Sequence, residues 1–280
     1  LNVNFYEQKQ INQSKMKIAI IGTGNLGLSI AKGLLNTNDG ISSIYLTKRD
    51  INQIKTLESY GNVIVTKDNK EALKNSDILI FSVQPVHFEG ILEQLKDQLA
   101  ENHIIISTIT GYSMARIEKV IGKNHNIIRS MPNTAISVGQ SMTCICANEK
   151  GQEKIELAKT IFNKMGHSMI IPESQMQAAT VICASGIAFW MRLIRATTQG
   201  AIQLGFDAKE AQELAMHTCN GAAQLLIASG NHPEEEIDKV TTPRGCTIQG
   251  LNEMEHQGLS SSLIQGIVAS YEKINQIKKE

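Results

Sequence analysis

The hydrophobic pattern changes character partway along the chain. In the first part, short Ile- and Val-rich runs recur at 17–21, 43–47, 63–66, 78–83, 104–107 and 126–130. Segments with helical periodicity separate them. Short apolar runs alternating with amphipathic segments predict strands alternating with helices, and so an α/β class with a parallel, doubly wound sheet. Further strands are predicted at 138–147 and 168–171, with a helix at 152–165 between them. After Pro172 the pattern becomes wholly helical. Residues 174–204, 209–229 and 260–278 read as long helices rich in Ala, Met and Ile. The first is interrupted at Ser185-Gly186 and ends at Gly205-Phe206-Asp207. Helices that are apolar on several faces need partners, which predicts a domain that packs against a second copy of itself.

Composition narrows the function classes. The 280 residues carry 27 Lys plus Arg and 27 Asp plus Glu, so no bulk charge draws the chain to nucleic acid or an acidic membrane. Aromatic residues are only 4%, leaving the packing to aliphatic and small side chains. No apolar run approaches the roughly 18 residues of a membrane span. Residues 1–15 are polar and have no apolar signal region, so they are expected to be a disordered or expression-derived lead before Met16 rather than a signal peptide. The five cysteines are scattered, apart from Cys144 and Cys146, whose spacing puts both on one side of a strand. Such a set predicts reduced thiols in a cytoplasm. With no CxxC and no HExxH, no metal site is expected.

The first strand runs into Gly22-Thr23-Gly24-Asn25-Leu26-Gly27 and then a helical segment. A GxGxxG between a strand and a helix is the dinucleotide fingerprint. Its first glycine makes the turn, the second admits a pyrophosphate, and the third lets helix and strand pack closely. A Rossmann-type dinucleotide-binding domain is therefore expected over 16–172. The end of the second strand carries Thr47-Lys48-Arg49 where an NAD enzyme usually has a carboxylate. A hydroxyl and two cations suit a 2′-phosphate and favour NADPH, although Asp50 follows and leaves NADH open. Three turns at strand ends, Ser82-Val83-Gln84-Pro85, Thr108-Ile109-Thr110-Gly111 and Met131-Pro132-Asn133-Thr134, are expected to wall the nicotinamide. Late in the helical half, 240–251 reads VTTPRGCTIQGL. This stretch precedes a helix expected to begin near Ile248. Its small residues and hydroxyls make either a carboxylate cradle at a helix N-terminus or a plain capping loop.

Together these motifs resemble the pyrroline-5-carboxylate reductase family over 16–277. The family's late signature runs close to VTSPGGTTIxGL. Its RxMPNTP, SGPAY and xVKP motifs correspond to the stretches beginning at Arg129, Ser185 and Ser82. The resemblance implies NADPH-dependent reduction of the cyclic imine of 1-pyrroline-5-carboxylate to L-proline. It implies that Ile21, Gly22, Thr23, Gly24, Asn25 and Leu26 hold the pyrophosphate. Thr47, Lys48, Arg49 and Asn69 then meet the adenosine end, while Ser82, Val83, Gln84, Pro85, Thr108, Ile109 and Thr110 line the nicotinamide side. Glu173, Thr242, Gly245, Cys246 and Thr247 are implied at the substrate, with the Thr247 hydroxyl bonding the imine nitrogen. Family members dimerise through interlocked C-terminal helices, and the dimers often assemble into larger rings, so 173–280 is expected to be the dimerisation and substrate domain. Ile187, Gln84, Ala135 and Arg244 depart from the family's proline, lysine, proline and glycine. Those departures support the alternatives of a non-catalytic NADP(H)-binding paralogue or a reductase of another imine or 2-oxo acid. A β-hydroxyacid dehydrogenase would need a lysine on the long helix, where 185–204 offers only Arg192 and Arg195.

Overall fold

A computed structural model describes residues 15–37 and 40–277. The predicted lead, except Lys15, lies outside the described residues. Contacts divide the chain into two units. One runs to Ala184 and includes the chain from Ile274, and the other is Ser185–Lys273.

The first unit is built on eight strands: β1 (Met16–Ile21), β2 (Ile41–Thr47), β3 (Val63–Thr66), β4 (Ile78–Phe81), β5 (Ile104–Ser107), β6 (Asn126–Met131), β7 (Ser141–Ala147) and β8 (Gly166–Ile170). Their order is β3-β2-β1-β4-β5-β6-β7-β8. The helices are α1 (Asn25–Thr37), α2 (Asn69–Lys74), α3 (Pro85–Leu95), α4 (Met114–Ile121), α5 (Ile155–Asn163) and α6 (Met176–Ala179). Alternate residues of β1 show why the sheet is covered on both sides. Ile18 and Ile20 belong to a core with Ile30, Ala31 and Leu34 of α1 and Ile161 and Phe162 of α5. Ala19 and Ile21 belong to another core with Leu73 of α2, Phe88 and Leu92 of α3 and Ile117 of α4. Parallel strands buried on both faces read as continuous Ile/Val runs, as seen in the sequence.

One pairing corrects the all-parallel expectation. β7 runs antiparallel to β6. The connection is only 132–140, a 3-10 turn at Thr134–Val138 closed by Gly139 at φ 71°. A parallel return needs a crossover of a dozen or more residues, so this short connection enforces an antiparallel strand. β7 therefore starts at Ser141 rather than 138. A second difference lies before the long helix. The expected interruption at Ser185-Gly186 is the end of a π-helical turn, Thr180–Ser185.

The second unit contains α7 (Gly186–Gln203), α8 (Ala208–Ser229), α9 (Pro233–Lys239), α10 (Cys246–His256) and most of α11 (Leu259–Ile277). The short α9 is absent from the sequence-based expectation. Its Pro at the first position and run of three glutamates are ordinary helix-start chemistry. By length and composition alone, the helical stretch Glu173–Gln203 contains a window apolar enough to cross a membrane. Its apolar positions are not consecutive, and Arg192 and Arg195 interrupt them, so the chain still carries no unbroken apolar run of that length. Among the described residues, the only buried hydrophobic side chains of this unit are Ala211 and Ala215. Trp190 (59%), Leu204 (84%) and Ile227 (74%) are exposed instead.

Candidate active site

The strand order reverses at β1 and β4, and a cleft opens where these strands and β2 end. Open α/β sheets bind ligands at this switch point. In the glycine loop after β1, packing within the fold requires the first and third glycines. Gly22 sits at φ 93°, and a Cβ there would run into the Val83 side chain and lie 3.0 Å from the Ser82 carbonyl oxygen. A Cβ on Gly27 would strike the Gly22 carbonyl, so α1 seats directly against the loop. Gly24 is exposed with nothing within 4 Å of its missing Cβ, which leaves open approach to its backbone. The first turn of α1 has no acidic residue, so its free N–H groups and dipole favour an anion. Thr47 ties the loop to β2. Its hydroxyl accepts from the Gly22 N–H at 3.1 Å and its carbonyl from the Thr23 N–H at 2.8 Å. The Thr23 hydroxyl is buried without a protein partner.

The cleft has a volume of about 720 Å³. Of the residues implied for the cofactor, Ile21, Gly22, Thr23, Gly24, Thr47, Lys48, Arg49, Asn69, Ser82, Val83 and Gln84 line it. Asn25, Leu26, Pro85, Thr108, Ile109 and Thr110 are not part of the lining. Pro85 is the first residue of α3. The Thr108 hydroxyl donates to the Phe81 carbonyl at 2.9 Å, and Ile109 is buried in the core. The cleft also takes Asp50, Gln53, Lys67, Val86, His87, Gly90, Ile91 and Gln94. Sequence reasoning missed Lys67, which follows β3 and comes to the cleft only because β3 lies beside β2. His87, Gly90, Ile91 and Gln94 repeat at helical spacing along α3, a signal that was available.

Asp50 lines the cleft beside the cations, but its carboxylate is engaged by the turn that follows. Its carboxylate caps the 3-10 turn Ile51–Gln53, accepting from the Asn52 N–H at 3.2 Å and the Gln53 side-chain amide at 3.0 Å. Lys48, Arg49 and Lys67 line the same end of the cleft. A capped carboxylate and three cations fit a 2′-phosphorylated dinucleotide better than one with a free 2′-hydroxyl.

Glu173 stands elsewhere in this unit. It accepts from the buried Arg129 guanidinium at 2.9 Å and from the Met114 N–H at 2.7 Å. With Gly111, Ser113, Ser174 and Gln177 this pair lines a second cleft of about 310 Å³. Its separation of 44 residues in sequence hides the pairing. Asn133, from the third predicted turn, serves the fold. Its side-chain amide donates to the Cys183 carbonyl at 2.9 Å and its oxygen accepts from the Ala135 N–H at 2.9 Å.

In the second unit, the late glycine–threonine loop leads directly into α10. The helix begins at Cys246, not near Ile248, with Gly245 as N-cap and no side chain capping it. The first N–H groups of a helix have no intrahelical partner, so those of Cys246, Thr247 and Ile248 are left for an anion. Gly245 is required because a Cβ there would strike the Thr242 hydroxyl. Arg244 holds φ 62°, and it is the only residue other than glycine with positive φ among the described residues. Thr242, Gly245, Cys246 and Thr247 are thus gathered at one helix start. Arg244 and Gly245 also line a groove along α10 with Ile248, Gln249, Asn252, Glu253 and His256.

Residues 173–277 match the family model described as pyrroline-5-carboxylate reductase dimerisation, and residues 17–111 match that described as NADP oxidoreductase coenzyme F420-dependent. The chain is 45% identical to pyrroline-5-carboxylate reductase 1 of Dictyostelium discoideum over 91% of its own length, and spans 49% of that relative. It is 40% identical to pyrroline-5-carboxylate reductase 2 of the same organism, with 93% of each chain covered. The crystal structure of Plasmodium falciparum pyrroline carboxylate reductase with NADP bound has a similar fold, with a TM-score of 0.86 at 22% identity over 95% of this chain and 99% of that one.

Proposed function

The chain belongs to the pyrroline-5-carboxylate reductase family, and we propose that it reduces the cyclic imine of 1-pyrroline-5-carboxylate to L-proline with NADPH. The observation that carries the proposal is the uncapped N-terminus of α10, shaped by Thr242, Arg244 and Gly245. That arrangement can hold a substrate carboxylate without using a side-chain carboxylate or a metal.

When bound, NADPH supplies the hydride. The protein's own tasks are binding, orientation and control of one proton. The backbone around Gly22 and Gly24, with the start of α1, binds the pyrophosphate, and Lys48, Arg49 and Lys67 meet the 2′-phosphate. The N–H groups opening α10 hold the substrate carboxylate, with Arg244 adding positive charge. The Thr247 hydroxyl bonds the imine nitrogen, donating to its lone pair while the imine is neutral and accepting from its N–H once it carries the proton that makes the neighbouring carbon electrophilic. Positioning and one proton suffice, so no His–Asp pair is required.

Self-association follows from the dimerisation domain of this family. A homodimer, with dimers joined into a ring, is part of the proposal. Its support is the second unit itself, whose exposed Trp190, Leu204 and Ile227 have no core of their own to enter. A cytoplasmic location is also proposed, supported by five free cysteines.

The test is to mix the purified protein with 1-pyrroline-5-carboxylate and NADPH and follow cofactor absorbance together with proline formation. A non-catalytic paralogue would bind NADPH and leave its absorbance unchanged. A reductase of another imine or 2-oxo acid would oxidise NADPH only with that compound.

A further inference from the structure

Two cysteines far apart in sequence meet in the first unit. The sulfurs of Cys144 and Cys183 lie 3.7 Å apart, 39 residues separating them. Cys144 is buried on β7, while Cys183 is half-buried on the π-helical turn Thr180–Ser185. The turn is held at this residue, because the Asn133 amide donates to the Cys183 carbonyl. Around them sit Met131, Cys146 and Met176, with Met114 and Met142 packed against the cluster. No role in imine reduction uses either thiol.

We propose that Cys183 and Cys144 are a peroxide-sensitive thiol pair that closes to an intramolecular disulfide. Cys183 reacts first, since it is the more accessible sulfur. It also has the more acidic thiol, because hydrogen bonding with Cys144 favours its thiolate. Cys144 is shifted the opposite way by that same bond and by burial. Burial pushes the third thiol of the cluster, Cys146, up to about 11. The Cys183 thiolate attacks one peroxide oxygen, the O–O bond breaks, and a sulfenic acid forms as hydroxide leaves. The Cys144 sulfur then attacks the Cys183 sulfur, and the hydroxyl leaves with the Cys144 proton as water. Two thiols lose two electrons and peroxide is reduced to two waters. The remaining approach, to a bond of about 2.0 Å, is within the reach of a side-chain rotation and a small adjustment of the turn. The product ties β7 to the turn that leads into α7.

Limiting hydrogen peroxide, then alkylation and tryptic digestion without reductant, tests the proposal on the intact protein. Cys183 lies in tryptic peptide 165–192, and Cys144 and Cys146 lie in 130–150. The expected product is a disulfide between these peptides that forms in wild type and in Cys146→Ser, is absent in Cys144→Ser, and is reversed by dithiothreitol. In Cys144→Ser, dimedone should label Cys183, because the sulfenic acid has lost its resolving thiol. The same peroxide on urea-unfolded chain should give no preference for this linkage, which shows that the fold makes it. The proposal is overturned if both thiols remain alkylatable after treatment. It is equally overturned if the linkage vanishes in Cys146→Ser, or if folded Cys144→Ser gives no adduct on Cys183.

Discussion

Arg49→Ala tests the assignment of the adenosine end of the cleft. Arg49 is exposed and lines the cleft with Lys48 and Lys67. A hydrogen bond to a charged group contributes about 1.5–3 kcal/mol, equivalent to roughly ten- to a hundredfold in affinity. Two features place this site at the low end. Solvent screens an exposed guanidinium, with a Debye length of about 8 Å at physiological salt. Lys48 and Lys67 also remain to share the phosphate. The expected loss in kcat/KM for NADPH is therefore about tenfold, with NADH changed less than about twofold because it carries no 2′-phosphate. Steady-state rates with both cofactors at fixed imine concentration give the ratio directly. Asp50→Ala provides the contrast. Because this carboxylate caps a 3-10 turn, its loss should lower the melting temperature and leave the cofactor ratio unchanged. Equal losses for NADPH and NADH in Arg49→Ala, or no preference in wild type, would refute the reasoning.

Thr247→Ala should lower kcat about a hundredfold with NADPH affinity unchanged, and Thr247→Ser should keep most of the activity. Because Gly245 is the N-cap and Thr247 the second residue of α10, the alanine variant should lose less than the ~1 kcal/mol typical of a deleted cap. A folded alanine variant with wild-type kcat would end the assignment. Arg244→Gly should raise the melting temperature by about 2 °C, since relief of left-handed strain of ~1–2 kcal/mol exceeds the added unfolded-state entropy. A fall on calorimetry would contradict that. Light scattering should show a dimer or larger species at low micromolar concentration, and Ile227→Asp should weaken it. A stable, folded wild-type monomer there would remove the argument from unit two's exposed apolar surface.

Much of this architecture was legible because its signals are local. The Ile-rich runs gave the strands, Gly22 and Gly27 sit where the loop sterics demand glycine, and Gly24 leaves its backbone open. The sense of β7 was not legible, because a strand's own residues do not encode its direction. The length of 132–140 does, and that length depends on where β7 begins. The start of α10 was misplaced by two residues because Cys246 and Thr247 are weak helix formers. The turn at Thr242–Gly245, with Arg244 in a left-handed conformation, overrides that preference. Lys67 joining Lys48 and Arg49, Glu173 meeting Arg129, and Cys183 meeting Cys144 all depend on tertiary proximity, which periodicity does not report.

The central claim is that a helix-terminus cradle holds the carboxylate of a cyclic imine while the imine carbon is reduced. The most direct measurement compares kcat/KM for 1-pyrroline-5-carboxylate with that for 1-pyrroline, which has the same C=N bond and no carboxylate. NADPH should be consumed one for one with proline formed, and 1-pyrroline should react about ten- to a hundredfold less efficiently, the value of one charge-assisted contact. Equal efficiency for the two imines, or no NADPH oxidation with either, would contradict the account.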